Sequence, residues 1–274
     1  MHDTPVANAI RKMKPISLDE VRQATRHREW AVEFQPIVDL RSGRWVGAEA
    51  LLRWRHPSRG WLMPDQFIEV VESSEEIFPV TNQVMGLVSE ALGRLALNQH
   101  DIYLSLNLVG AHFRRTATLH ELLWAVQRVG VDPSKLMIEL TERGAVDDSG
   151  GVISDLMARM CQNDFRLAID DFGSREASLE YLQRFPVSQL KIDKCLIDSI
   201  DVLPKARKVL QGLVEFARCL DVKIVAEGVE RERQMTTLRS LGVPFAQGFA
   251  LARPMSLEVL EASLAAQSAH WRQA

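Results

Sequence analysis

Two adjacent carboxylates, Asp170 and Asp171, directly follow an apolar segment and precede Gly173. The segment, residues 165–169, has the composition of a short buried strand. Because consecutive residues of a strand point to opposite faces, a pair at its end can serve two different partners. Neighbouring carboxylates repel each other unless a positive charge lies between them, and a divalent cation commonly supplies that charge. Both residues could instead cap a following helix or face water, and the pair alone favours this simpler explanation.

Other polar residues stand at the same kind of position, late in an apolar segment or just after it. In chain order they are Glu49, Asn107, Glu139, Glu142, Lys191, Glu227 and Gln247. The carboxyl ends of parallel strands open on one face of a barrel, so these groups would meet in one cavity. Each residue alone also has an ordinary explanation: Asn107 as a turn residue, Lys191 as an exposed lysine and Glu227 as a charge at a helix N-terminus.

Taken together with Asp170 and Asp171, the carboxylates of this set predict a metal centre. Gathering six of them on one face without cations would cost several kcal/mol in repulsion and desolvation. Oxygen ligands select hard ions, so Mg²⁺ or Mn²⁺ is expected rather than zinc. Two ions about 4 Å apart that share Asp170 would hold a phosphodiester and activate a bridging water for in-line attack. Lys191 would orient that water or balance charge on the phosphoryl oxygens, so the set predicts phosphodiester hydrolysis.

The elements that would position these groups alternate between helix and strand. Ser17 and Glu20 form a predicted capping box that opens a helix to about His27. A hairpin is predicted from strands at residues 30–40 and 45–54. Further strands are predicted at 102–107, 136–140, 165–169, 189–192, 223–226 and 245–247, and helices near 64–73, 80–97, 119–129, 152–163, 179–185, 206–220, 231–241 and 256–265. This alternation predicts an α/β fold with a mainly parallel barrel in one domain.

The composition is that of a soluble globular protein. The 274 residues are 46% hydrophobic and 25% charged, and this length suits one large α/β barrel or two ordinary domains. A net charge of −3 without a basic stripe argues against a nucleic-acid polymer as partner. Cys161, Cys195 and Cys219 lack Cys-x-x-Cys spacing, which predicts reduced thiols. No segment suggests secretion or membrane insertion, so a cytoplasmic location is expected.

Seven short motifs carry a resemblance to a known family. They are Gln35-Pro-Ile37, Glu49-Ala-Leu-Leu-Arg-Trp54, Glu139-Leu-Thr-Glu142, Asp170-Asp-Phe-Gly173, Leu190-Lys-Ile-Asp193, Ala226-Glu-Gly-Val-Glu230 and Gln247-Gly-Phe249. In this order they resemble the EAL domains, bacterial phosphodiesterases of cyclic di-GMP, over about residues 18–264. An EAL domain is therefore expected at residues 17–268, between tails at 1–16 and 269–274.

The resemblance implies a modified TIM barrel, a (β/α)8 barrel whose first strand is antiparallel, in agreement with the predicted hairpin. It implies that one metal ion is held by Glu49, Asn107, Glu139 and Asp170, and a second by Asp170, Asp171 and Glu227. The implied catalytic residues are Lys191, Glu227, Asp171 and Glu49, and Lys191 would contact the hydrolytic water.

The resemblance also implies a substrate site, a product and an assembly. The dinucleotide would be lined by Gln35, Leu51, Arg53 and Gln247, and the loop after Asp171 would be supported by Glu142 and Asp193. The planar guanidinium of Arg53 suits a phosphodiester oxygen pair. The implied product is linear pGpG, and the implied assembly is a homodimer with an upstream sensory or partner protein.

One segment departs from the family pattern and keeps other hypotheses open. After Gly173 the family usually continues Thr-Gly-Tyr-Ser-Ser-Leu, whereas this chain has Ser174-Arg-Glu-Ala-Ser-Leu179. Arg175 replaces a glycine that can adopt positive φ, and Glu176 places a charge where the family has an aromatic ring. Family members with an altered loop are often weakly active or inactive. The second hypothesis is therefore a receptor that binds cyclic di-GMP and signals to a partner, and the third is an interaction module without the ligand.

Overall fold

The computed structural model describes residues 14–141, 151–174 and 179–271. The chain divides into two compact units, one comprising Met1–Ala31 and Leu52–Val84 and the other Val32–Leu51 and Met85–Ala274. Glu142, which is predicted to support the loop after Asp171, and the divergent residues 175–177 lie outside the described residues. The domain boundaries at residues 17 and 268 stay a prediction.

Nine strands form one sheet. They are β1 (Trp30–Asp39), β2 (Trp45–His56), β3 (Gly60–Leu62), β4 (Tyr103–Leu108), β5 (Leu136–Thr141), β6 (Arg166–Phe172), β7 (Gln189–Ile192), β8 (Lys223–Ala226) and β9 (Phe245–Ala246). Their order is β1-β9-β8-β7-β6-β5-β4-β2-β3, and β1 also pairs with β2, which closes the ring. From β2 through β4 to β9 the pairs are parallel, whereas β1 is antiparallel to β9. The predicted modified TIM barrel with an antiparallel first strand is confirmed.

Helices connect most of the strands. Their bounds are Leu18–His27, Ile68–Glu72, Ile77–Leu97, Gly110–Phe113, Ala117–Arg128, Val152–Gln162, Leu179–Arg184, Lys194–Ile197, Pro204–Cys219, Glu232–Ser240 and Leu257–Trp271, with 3-10 turns at Pro64–Gln66 and Pro133–Lys135. The helix predicted at 64–73 is a 3-10 turn followed by a short helix. The last helix continues to Trp271 instead of ending near residue 265. Within the described part of the chain, no helix is long and apolar enough to cross a membrane.

The smaller unit is organised around an aromatic cluster. Trp30 packs on Trp54 with ring centroids 4.9 Å apart, and Phe67 lies 5.4 Å and 5.5 Å from them. Both indole nitrogens are satisfied, since Trp54 donates to Glu29 at 2.8 Å and Trp30 to Thr25 at 3.0 Å. Aromatic pairs at these separations add stability beyond the area they bury. The predicted capping box before the first helix is also present.

The interior of the barrel is filled by an apolar layer. Ile37, Tyr103, Met137, Ala168 and Val225, from five different strands, pack together there. Burial raises the pKa of Tyr103 to about 12. Its hydroxyl group is 3.3 Å from the side-chain oxygen of Gln189. This packed layer is the base on which the polar residues of the next level rest.

Gly248 lies where the segment after β8 touches the segment after β9. A Cβ atom at position 248 would come within 2.2 Å of the backbone nitrogen and oxygen of Val229. Those atoms are fixed, because Val229 N donates to Gln247 O at 3.1 Å and Ala250 N donates to Val229 O at 2.9 Å. We expect Gly248→Ala to lower the free energy of unfolding by about 3 kcal/mol, measured by urea unfolding.

The matched control for this prediction is Gly212→Ala. A Cβ atom there meets nothing within 4 Å, and the position lies inside the helix Pro204–Cys219. Helix propensity predicts a gain of about 0.5–1 kcal/mol for this change. Equal losses in the two variants would contradict the packing argument.

His112 should make the free energy of unfolding depend on pH. It lies on the helix Gly110–Phe113 and is 1% exposed, and burial, with the charge of Arg115, lowers its pKa to about 4. Unfolded histidine takes up a proton near pH 6.5, so its stabilising contribution is complete above about pH 6.5 and is lost as the pH falls towards 4. We expect wild-type protein to lose about 2 kcal/mol more unfolding free energy than His112→Gln between about pH 7.5 and 5. Urea unfolding at both pH values measures this, and parallel losses would contradict it.

Candidate active site

Polar residues form a second level above the apolar layer of the barrel. On three strands a step of two residues leads from the apolar layer to the polar level: Met137 to Glu139, Ala168 to Asp170, and Val225 to Glu227, which directly follows β8. On β7, Lys191 likewise lies two residues after the buried Gln189. Because side chains alternate between the faces of a strand, residues two apart point into the same interior. Glu49 joins this level from β2, where it pairs with Ser105 of β4. These groups therefore meet at the carboxyl end of the barrel.

The Lys191 ammonium lies at the centre of these carboxylates. Its Nζ atom is 2.8 Å from Glu139, 2.9 Å from Glu227, 3.0 Å from Glu49 and 3.1 Å from Asp170. The lysine side chain is 1% exposed. An ammonium has three hydrogens, so four carboxylates share one cation and exceed its donor capacity. If all four carboxyl groups are ionised, their negative charge exceeds the single positive charge of Lys191.

Burial opposes ionisation of most of these carboxyl groups. It raises the pKa of Glu139 to about 8, although Lys191 acts in the opposite direction. It also raises the pKa of Asp170 and moves that of Glu227 well above its usual value, again against the effect of Lys191. Burial works against the ammonium too, but the surrounding carboxylates raise the pKa of Lys191 well above its usual value. Lys191 is therefore charged.

Glu49 differs from its neighbours because amide groups bond to it. Burial would raise its pKa, but Lys191 together with hydrogen bonds from Gln247 and Asn107 outweighs burial, and the pKa lies below its usual value. Gln247 Nε2 donates to Glu49 at 2.7 Å and to Gln35 Oε1 at 3.1 Å. Asn107 Nδ2 donates to Glu49 at 2.8 Å. Glu49 is thus held as a carboxylate in a fixed orientation.

Gln247 also presents an acceptor without a donor. Its side chain is buried, and its Oε1 atom has no hydrogen-bond partner among the described residues. Gln35, beside it, donates to the carbonyl oxygen of Ala252 at 3.1 Å. A buried amide oxygen without a partner is costly, so this atom is suited to accept a hydrogen bond from a ligand.

Asp171 adopts a left-handed backbone conformation, with φ +57°. The register between β6 and β7 shifts between Ile169 and Phe172, which marks a β-bulge at the two aspartates. The strand therefore runs to Phe172, because pairing resumes there, rather than ending at residue 169 as predicted. In a regular strand Asp171 would point to the face opposite Asp170. At the bulge, an oxygen atom of Asp171 instead lies within 4.8 Å of one of Asp170. Burial, with repulsion from Asp170 and Asp193, raises the pKa of Asp171 to about 6.

The acidic residues form two groups that could each hold a metal ion. One comprises Glu49, Glu139 and Asp170, and the other Asp170, Asp171 and Glu227. Within each group, one oxygen atom of every residue lies within 4.8 Å of the others. Asp170 belongs to both groups. A donor set made of carboxylate oxygens suits a hard divalent cation, so these residues fit the metal that the resemblance implies.

A cavity of about 310 Å³ opens over this cluster. Its lining includes Gln35, Glu49, Asp170, Asp171, Glu227 and Gln247. A larger cavity of about 770 Å³ lies near Arg41, Arg239 and Phe245, but among its lining residues only Asp39 is acidic. Of these two cavities, the smaller one gathers acidic residues of both groups.

Three further residues of the predicted site have other described surroundings. Leu51 is half-buried on β2. Arg53, in the smaller unit, is buried and donates to the carbonyl oxygen of Leu52 at 2.9 Å. Asp193 lines the cavity, and its side chain accepts from Cys195 N at 2.9 Å, which caps the short helix Lys194–Ile197. This helix cap is a local role for Asp193 that the sequence did not predict.

The cavity wall contains residues that the sequence did not single out. Lys194 binds both Asp198 at 2.8 Å and Glu230 at 2.9 Å, and so joins the segments after β7 and β8. Phe249 is 52% exposed at the cavity, with the guanidinium of Arg253 4.5 Å from its ring centroid. Glu230 and Phe249 each end a motif of the resemblance. That position was the one signal that could have identified them.

The fold and the site together define a class: a modified TIM barrel with an acidic cluster at the carboxyl ends of its strands. The sequence profile of the EAL domain matches residues 18–254. The chain belongs to the EAL domain family.

Several named proteins are similar to this chain. The bifunctional diguanylate cyclase/cyclic di-GMP phosphodiesterase MucR of Pseudomonas aeruginosa is 35% identical over 250 residues, which are 90% of this chain and 36% of MucR. The cyclic di-GMP phosphodiesterase PdeL of Escherichia coli is 32% identical over 88% of this chain and 66% of PdeL. This chain thus spans about a third of MucR and about two thirds of PdeL.

Solved structures show the same likeness. The PaMucR phosphodiesterase in complex with c-di-GMP has a TM-score of 0.83 and 34% identity, over 89% of this chain and 98% of that one. The EAL enzyme Bd1971, with cAMP and cyclic di-GMP bound, has a TM-score of 0.84 and 28% identity, over 90% of this chain and 67% of that one. The fold of this chain is that of structures in which cyclic di-GMP is bound.

Proposed function

We propose that this protein is a metal-dependent phosphodiesterase that hydrolyses cyclic di-GMP to linear pGpG. The observation that carries the proposal is the cluster around Lys191, in which two groups of carboxylates share Asp170 beneath a cavity. MucR and PdeL, which are similar to this chain, are named cyclic di-GMP phosphodiesterases. Hydrolysis adds one water across one phosphodiester, leaving a 5′-phosphate and a 3′-hydroxyl group.

Two Mg²⁺ or Mn²⁺ ions would occupy the cluster. One would be held by Glu49, Asn107, Glu139 and Asp170, and the other by Asp170, Asp171 and Glu227. Asn107 suits this role because its amide nitrogen bonds to Glu49, which leaves its carbonyl oxygen for the ion. When bound, such ions lower the pKa of water and neutralise phosphoryl charge.

The other residues bind and orient the substrate and water. Lys191, Glu227, Asp171 and Glu49 are the proposed catalytic residues, with the Lys191 ammonium donating to the attacking water or to a phosphoryl oxygen. Gln35, Leu51, Arg53 and Gln247 are the proposed substrate contacts. The buried Oε1 of Gln247 would accept a hydrogen bond from the nucleotide. Four further expectations stay predictions. They are the support of the loop after Asp171 by Glu142 and Asp193, the homodimer, its signalling partner and a cytoplasmic location.

A chromatographic time course tests the proposal directly. Purified protein is incubated with cyclic di-GMP and excess Mg²⁺ or Mn²⁺ beside Glu49→Ala. We expect pGpG from the wild type alone, because Glu49 is a ligand in one group and fixes Gln247. No product from the wild type, or equal product from both proteins, would contradict the proposal.

The divergent segment after Gly173 supports a second candidate, a receptor that binds cyclic di-GMP without turning it over. Its residues 174–177 read Ser-Arg-Glu-Ala, where the family usually has Thr-Gly-Tyr-Ser. Replacing these four residues with the family sequence should create or greatly raise turnover if the segment limits activity. The receptor is favoured if the wild type binds cyclic di-GMP without forming product and the replacement of residues 174–177 creates turnover. Unchanged turnover would exclude the segment as the cause, and absence of nucleotide binding would leave only an interaction module.

A further inference from the structure

Lys191 contacts members of both candidate metal groups at once. Its Nζ atom lies 3.0 Å from Glu49 and 2.8 Å from Glu139, which belong to the first group. It lies 2.9 Å from Glu227, which belongs to the second, and 3.1 Å from Asp170, which belongs to both. The ammonium therefore lies between the groups rather than beside one of them.

Among the described residues that line the cavity, no other positively charged side chain contacts the two acidic groups. The lysine that lines the cavity, Lys194, directs its ammonium to Asp198 and Glu230, outside both groups. The Lys194 side chain is 42% exposed, whereas that of Lys191 is 1% exposed. Lys191 is thus the buried positive charge that faces the cluster, and its attraction is little screened by water.

We infer that Lys191 is an internal counterion that takes the place of divalent cations in the cation-free protein and competes with them for the same carboxylates. This inference rests on the proposed cation site. Carboxylate oxygens that bond to the ammonium must turn from it, or be shared, when a divalent ion binds. The positive charge also repels the arriving cation. Lys191 therefore keeps the cluster assembled before loading and weakens the affinity of the cluster for cations.

Calorimetric titration of metal-stripped protein with Mn²⁺ tests this without any measurement of catalysis. We expect Lys191→Met, which keeps side-chain length and removes the charge, to lower the apparent dissociation constant for Mn²⁺ at least tenfold. Lys191→Arg keeps the positive charge, so its dissociation constant for Mn²⁺ should fall less than that of Lys191→Met. Lys194→Met is the matched control, since it removes the same charge from a lysine whose ammonium binds Asp198 and Glu230, outside both groups, and its dissociation constant should stay within about threefold of the wild type.

Each outcome of the titration decides the inference. An unchanged or larger dissociation constant in Lys191→Met would overturn it, as would equal tightening in Lys194→Met. If Lys191→Met is unfolded without cations, circular dichroism during Mn²⁺ addition replaces calorimetry, and recovery of the folded spectrum supports the inference. If it stays unfolded, Lys191→Gln is titrated instead, and wild-type affinity in that variant overturns the inference.

The titration also separates this inference from the proposed function. Tight Mn²⁺ binding by Lys191→Met, together with absence of pGpG from the wild type, would leave the counterion role standing and remove the phosphodiesterase. Normal hydrolysis by the wild type, together with unchanged Mn²⁺ affinity in Lys191→Met, would support the phosphodiesterase and exclude the counterion role.

Discussion

Replacing Asp170 with asparagine is expected to lower the turnover of cyclic di-GMP at least about 1000-fold. Asp170 is the one residue shared by the two acidic groups, so the change removes a charged ligand from both at once. Asparagine keeps the size of the side chain and a carbonyl oxygen, so the loss reports charge rather than shape. The initial rate of pGpG formation at saturating Mn²⁺ measures it.

The control for this prediction is Asp198→Asn. Asp198 is a carboxylate bound to Lys194 and belongs to neither acidic group, so the same chemical change there should keep the rate within about threefold of the wild type. Circular dichroism and urea unfolding establish that both variants are folded. A rate for Asp170→Asn within tenfold of the wild type would contradict the proposed shared ligand.

Removing the charge of Lys191 should have the largest effect on the stability of the cation-free protein. Loss of the ammonium leaves Glu49, Glu139, Asp170 and Glu227 close together without their common cation. Removal of one partner of a buried ion pair costs about 3–5 kcal/mol, and we expect Lys191→Met to lose about that much unfolding free energy in the presence of a chelator. Urea unfolding measures the loss, and added Mn²⁺ should restore most of it.

The matched control for stability is Lys194→Met. Its ammonium also binds two carboxylates, Asp198 and Glu230, but the side chain is 42% exposed and solvent screens the pairs. Exposed ion pairs contribute about 0–1 kcal/mol, so the control should lose no more than that. Similar losses in the two variants would show that burial does not set the energetic role of Lys191.

The barrel could be predicted because its signals are local and repeated. Short strands such as 189–192 and 223–226 were predicted with the bounds that the structure gives, since their apolar residues stand in short runs between predicted helices. The step from Val225 to Glu227 belongs to the same pattern, because an inward apolar residue is followed two positions later by an inward polar one. The gathering of the carboxylates at one end follows from the parallel arrangement.

Other features depend on contacts that local patterns do not contain. The left-handed Asp171 follows from the register shift between β6 and β7, and pairing registers cannot be deduced from one strand alone. The helices Gly110–Phe113 and Lys194–Ile197 are too short for a helical period to be visible. The central place of Lys191 depends on three side chains from three strands and on Glu227, directly after β8.

The dispersion of the carboxylates along the chain has a consequence for folding. They come from positions 49, 139 and 170, on β2, β5 and β6, and from position 227, directly after β8, and they meet only when the ring of strands is complete. Contacts between such distant segments form slowly, because the entropy of closing long loops must be lost first. We therefore expect the cluster to be among the last parts of the structure to form during refolding. The contacts between the Lys191 ammonium and the four carboxyl groups should therefore form when the barrel closes. We expect this event to come later than the formation of the individual helices.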